Sequence, residues 1–197
     1  MTGVKRTRRG VVVSFDEVEA SLLRHLVGEV RDLLADGEPL PPPAGGTAAV
    51  PTDAELSALT GLGTDLGTGF GDEADSPPAP SDPALARLLP EAYRDDDRAA
   101  GEFRRLTESS LRRDKVSSAE RLLAALPADG PGEVRLDPET TESWLATIND
   151  VRLALGTRLE VTEEMAEPDP EDPDAPAYVV YLWLTELQGV LIEVADG

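Results

Sequence analysis

The sequence predicts a mainly α fold: a single-domain helical bundle carrying a small β-ribbon. Three observations lead there. Apolar residues recur at three- and four-residue spacing in several long stretches, as helices with one buried stripe require. Clusters of Pro and Gly separate and stop those stretches. Two short runs, 11–15 and 133–136, are β-branched or alternating, and pairing them supplies the ribbon. The 197 residues suffice for one sizeable core even after flexible inserts at about 38–51, 61–82 and 167–176. With only three Phe, three Tyr and two Trp, Leu, Val and Ala must supply most of its volume.

The elements follow in order. Residues 10–15, GVVVSF, read as an edge strand that runs into a helix, with Ser14 and Glu17 in capping-box spacing. Phe15, Val18, Leu22, Leu26, Val30 and Leu33 form the apolar stripe of that helix, which Gly37 and Pro39 end. Residues 38–51 are too rich in proline for regular structure. A brief helix over 53–62, capped by Thr52 or Asp53, precedes an acidic glycine-rich loop at 61–83. PALARLLP, 83–90, is a short helix closed by Pro90.

Residues 94–115 read as a helix with Ala99, Phe103, Leu106 and Leu111 on one arc and Arg94, Arg98, Arg105 and Arg112 on the other. Ser117 and Glu120 look like a second capping box, opening a helix that buries Leu122, Leu123 and Leu126. PADGPG, 127–132, turns the chain, and EVRL, 133–136, pairs with 11–15. Asp137-Pro138-Glu139 is a helix start, with an acceptor at the cap, Pro at the first position and an acid by the positive dipole end. Trp144, Ile148, Val151, Leu155 and Leu159 continue it as one stripe. After the linker EPDPEDPDAP, residues 177–195 are apolar over more than half a helical circumference, which predicts a buried position.

Composition removes several function classes. There is no cysteine, so disulfides, thiolate metal sites, Fe–S clusters and a cysteine nucleophile are excluded. The basic start, MTGVKRTRRG, leads only into VVVSF, too short for a signal-peptide apolar region. No run is read as reaching the roughly 18 apolar residues of a membrane span, so a cytoplasmic protein without membrane contact is expected. His25, the lone histidine, sits one turn from Glu29 and reads as an (i, i+4) pair on a helix flank. The glycines at 61, 63, 67, 69 and 71 lack the Lys-Ser/Thr of a phosphate loop and the dinucleotide fingerprint. DPEDPD, 169–174, lacks the ligand alternation of a calcium loop, and its prolines make it a spacer. No nucleophile elbow or paired-carboxylate motif stands out, and Trp144 and Trp183 fall in apolar helical stripes. No cofactor, metal or catalytic residue is predicted, and the protein reads as a non-enzyme.

The arginine-rich helix is the one feature that invites a binding role. The formal net charge is −21, which repels polyanions at long range. Over 94–115, seven basic residues face six acids, a local balance of +1. Arg98–Glu102, Arg104–Glu108 and Glu108–Arg112 all stand at (i, i+4), where exposed pairs contribute about 0.2–0.5 kcal/mol each. A duplex-binding helix needs uncompensated charge, and a single-strand binder needs aromatic platforms. Direct DNA binding is therefore disfavoured. The stripe is first a solvated, self-paired face, and its second use is to fork onto an acidic protein partner through Arg94, Arg98, Arg105 and Arg112.

RDDDRAAGEFRRLTESSLRRDKVSSAERLLAAL (94–126), preceded by DPALARLLPEAY, resembles the hallmark region of an actinobacterial family of unknown function that includes the oxidative-stress transcriptional regulator AosR. SFDEVEASLLRHLVGEVRDLL and VVYLWLTELQGVLIE resemble its two ends, so the likeness spans nearly the whole chain. It implies a cytoplasmic, non-enzymatic regulator of transcription whose partner is RNA polymerase or a sigma factor. A disulfide-based stress sensor needs cysteine, which this chain lacks. Three other readings stay open: an adaptor in regulated, Clp-type proteolysis, an enzyme whose carboxylates meet only in the fold, and a homodimer.

Overall fold

A computed structural model of the chain describes residues 2–35, 80–90, 92, 96–128, 130–162 and 171–196. The insert at 38–51, residues 167–170 of the insert at 167–176, the brief helix expected at 53–62, and 61–79 of the glycine-rich loop lie outside those residues. The described part is mainly helical, as the sequence predicts. Strands β1 (Gly3–Thr7), β2 (Gly10–Phe15) and β3 (Gly132–Leu136) form one antiparallel sheet in the order β1-β2-β3. The helices are α1 (Glu17–Ala35), α2 (Pro83–Leu88), α3 (Asp97–Ala125), α4 (Pro138–Arg158) and α5 (Ala175–Asp196).

The expected ribbon is present, with Val11 opposite Leu136 and Phe15 opposite Gly132. Alternation sends Val11, Val13, Phe15, Val134 and Leu136 inward and leaves Glu133 and Arg135 exposed. β1 is an addition to the predicted ribbon. Its GVKRT carries too little apolar alternation to announce a strand; pairing with β2 and the contact of Val4 with the core place it there. Arg8 and Arg9 make the turn, and Gly10 follows with φ +131°. A Cβ at Gly10 would sit 2.0 Å from the Leu136 carbonyl oxygen, so a side chain has no room.

Helix α1 is opened by a reciprocal box two residues later than expected. Asp16 accepts from the Glu19 N–H at 2.9 Å, and the Asp16 N–H donates to the Glu19 carboxylate at 3.0 Å. The inward residues are Ala20, Leu23, Val27, Val30 and Leu34, while Val18 is 74% exposed. Helix α2 begins where Asp82 accepts from the Ala84 and Leu85 N–H groups, with Pro83 at the first position. Helix α3 is continuous through Ser117 and Glu120, so no second helix opens there. Nothing between Glu102 and Ala125 is Gly or Pro, and a Ser in mid-helix needs no cap. Helix α4 starts at the predicted Asp137 cap, which accepts from the Thr140 N–H at 2.8 Å.

One contiguous core joins these elements. Helices α4 and α5 lie against the inner face of the sheet, and the Phe15 and Trp144 rings meet with centroids 6.2 Å apart. Trp144, Ile148 and Val151 are buried as the α4 stripe predicts. Helix α5 departs from expectation. It seats Leu184, Leu187 and Leu191 inward but leaves Val179, Leu182 and Ile192 exposed, because only one side of it meets the sheet and α4. Over 175–195 it is long and apolar enough to cross a membrane by length and composition alone, with mean hydropathy 1.3, a feature the residue-run reading did not register.

Candidate protein-interaction surface

Helix α3 carries the sequence-predicted stripe. Its N-terminal half is turned roughly opposite to the expectation. Ala100 is buried, whereas Phe103 is 42%, Leu106 73% and Leu111 37% exposed. The side that faces the fold is instead polar: Arg104, Thr107, Glu108 and Arg112 lie partly buried there. The physical reason is the end of α1, whose last carbonyls need donors that apolar side chains cannot supply. Arg112 Nη1 donates to the Leu34 carbonyl at 3.1 Å, and its Nε and Nη2 donate to Glu108 Oε1 at 2.8 and 2.6 Å. A long cation therefore caps α1 from the neighbouring helix.

Of the four predicted contact residues, Arg98 and Arg105 are exposed on α3. Arg112 is turned to α1, and Arg94 lies outside the described residues. The three predicted (i, i+4) pairs all form, at 3.6 Å for Arg98–Glu102, 3.9 Å for Arg104–Glu108 and 2.6 Å for Arg112–Glu108. Arg105 has no acid partner among the described residues. Beside this face a shallow groove runs between the end of α2 and α3, lined by Leu89, Pro90, Ala100, Phe103, Thr107 and Leu111 among others, with a cavity of about 30 Å³.

Below that surface, Lys115 ties α3 to α4. Its Nζ donates to both carboxylate oxygens of Asp150, at 2.6 and 2.8 Å. Burial pushes the Asp150 carboxyl above its usual range, and the attraction of Lys115 only partly offsets that. Hydrogen bonds from backbone N–H groups act the other way on the exposed cap residues, holding Asp16 and Asp137 below the ordinary aspartate value. His25 and Glu29 are exposed at the mouth of a second groove of about 80 Å³ between α1 and α4, and no ion pair joins His25 to Glu29.

Sequence reasoning missed Phe103, Leu106 and Leu111 as surface residues. The available signal was the wheel position of Arg104, Glu108, Arg112 and Lys115, which share one side of α3 and continue into the buried Ala119 and Leu122.

The sequence profile of a domain of unknown function, DUF2017, matches residues 1–195. The chain belongs to the DUF2017 family. Among its relatives, the oxidative stress regulator AosR of Mycobacterium tuberculosis is 34% identical over 193 residues, covering 91% of this chain and 79% of the relative. The protein of the same name in Mycobacterium bovis matches with the same identity and coverage. No solved structure matches.

Proposed function

We propose that this DUF2017 protein is a stress-related regulator that acts on transcription in the cytoplasm through protein–protein contact, with RNA polymerase or a sigma factor as its partner. The observation that carries the contact reading is the reversed face of α3. Exposed Phe103 beside Arg98 and Arg105 joins the aromatic and arginine side chains enriched at protein interfaces, and Leu106 and Leu111 add exposed apolar area to the same face. The regulatory role rests on the relatives named oxidative stress regulators. No cysteine is present in the 197 residues, so an oxidative signal would be received by the partner rather than by a disulfide of this chain.

A non-catalytic reading is supported by the relatives named as regulators. The test is capture from native lysate on the immobilised full chain, with mass spectrometry of what is retained. Polymerase subunits or a sigma factor should be retained by the wild type and lost by Arg105→Glu/Leu106→Asp. Retention of the Clp unfoldase or its adaptor instead would favour the proteolysis reading and overturn this one.

A further inference from the structure

The chain carries 39 acidic and 18 basic residues, yet five cations gather at one end of its sheet. Lys5 and Arg6 lie on β1, and Arg8 and Arg9 form the turn to β2. Arg135 on β3 shares a cross-strand row with Val12 and Lys5, so it stands on the same outward face as Lys5. All five are exposed, and the side chain of none has a hydrogen-bond or ion-pair partner among the described residues. Of the acids near the sheet, Asp137 caps α4 and Asp16 and Glu19 cap α1, while Glu133 lies on the face of Arg135 one row away, beside Gly3 and Ser14.

Strand β1 is also an edge, with no strand on its outer side among the described residues. Charge on an edge strand ordinarily discourages pairing with any passing strand. One lysine does that. A run of Lys5, Arg6, Arg8 and Arg9 does more, since it repels basic strands and attracts acidic ones. Main-chain hydrogen bonds at the edge and ion pairs along it would then act on the same ligand.

We infer that β1 is a docking edge for an extended acidic segment of a partner protein, which adds as a strand beside β1 with its carboxylates on Lys5, Arg6, Arg8 and Arg9. Duplex nucleic acid fits less well. It would spread phosphates over a broad area of a molecule whose net charge is −21, and the patch offers no aromatic ring on which single-stranded bases could stack. A peptide strand touches only the hairpin. This surface is separate from α3 and stands whether or not polymerase is the partner there.

The test is fluorescence anisotropy on the full chain with a dye-labelled peptide carrying a run of consecutive Glu residues flanked by Val, since Lys5 and Arg6 stand on opposite faces of β1. The same peptide N-methylated at alternate positions, and dye-labelled single-stranded and duplex oligonucleotides, run beside it. The unmethylated peptide should bind, more weakly as salt rises. Exposed ion pairs contribute about 0.2–1 kcal/mol each, and reversal adds repulsion, so Arg6→Glu/Arg8→Glu should weaken binding about tenfold. Arg98→Glu/Arg105→Glu should leave it unchanged. Absence of peptide binding, equal binding of the methylated peptide, equal loss in the α3 variant, or tighter binding of an oligonucleotide would each overturn the inference.

Discussion

Removing one member of the Lys115–Asp150 pair should cost far more than removing both. The pair joins α3 to α4 with contacts of 2.6 and 2.8 Å, and its side chains keep only 21% and 11% of their exposure. At 2.6 Å the attraction is roughly 6 kcal/mol for an effective dielectric of about 20. Desolvation costs several kcal/mol per ion and at least cancels it, as the raised Asp150 carboxyl indicates. The pair is therefore close to neutral in total, while each ion alone is a liability. Asp150→Leu leaves Lys115 without a counter-charge and should destabilise by about 2–3 kcal/mol, below the ~3–5 kcal/mol of a fully buried pair because water reaches these ends. Lys115→Met should cost a similar amount. Lys115→Met/Asp150→Leu should return to within about 1 kcal/mol of wild type. Denaturant unfolding with an unchanged m-value measures all three. Additive losses in the double variant, or single losses under about 0.5 kcal/mol, would refute the reasoning.

Other outcomes follow from the same geometry. Glu160 ends α4 at φ 52° while Val161 N–H donates to the Gly156 carbonyl, a left-handed cap that Gly adopts without strain; Glu160→Gly should raise stability by about 1 kcal/mol on denaturant unfolding. Arg112→Ala removes the donor to Leu34 and should cost about 1–2 kcal/mol, with hydrogen exchange accelerated selectively at the end of α1. Acid unfolding should show opposed contributions. Asp16 and Asp137 have lowered folded values, so the stability they add is present above their unfolded value near 3.8 and is lost as pH falls below it. Asp150, raised, acts in reverse: between 3.8 and its folded value the native state holds the extra proton, and stability falls as pH rises through that window. Asp137→Ala should flatten the acid limb and Asp150→Asn should steepen it.

Local chemistry made much of this structure legible. Asp137-Pro138-Glu139 announces a helix because cap, proline and dipole all act within one turn, and the three α3 ion pairs are legible because (i, i+4) neighbours meet in any helix. What depends on distant partners was not legible. The face of α3 was misread because Phe103 and Leu106 are the large apolar residues of its first three turns, while the neighbour that decides its orientation is a carbonyl of α1. The strand Gly3–Thr7 was missed since its register comes from β2 rather than from its own alternation. Helix α5 is apolar around more than half its circumference, but periodicity does not say how many neighbours cover it. Arg98 and Arg105 are exposed on α3 as the helical wheel expects, and the exposed apolar residues beside them were not foreseen.

The central claim is that the exposed face of α3 is a protein-binding surface. Its most direct test is the affinity of the purified full chain for purified RNA polymerase core and holoenzyme, measured by biolayer interferometry for wild type and Arg105→Glu/Leu106→Asp. The account predicts saturable binding that falls at least about 30-fold in the variant, from about 2 kcal/mol or more lost across two central contacts, with circular dichroism unchanged. Absence of wild-type binding to either form, or equal binding by the variant, would contradict it.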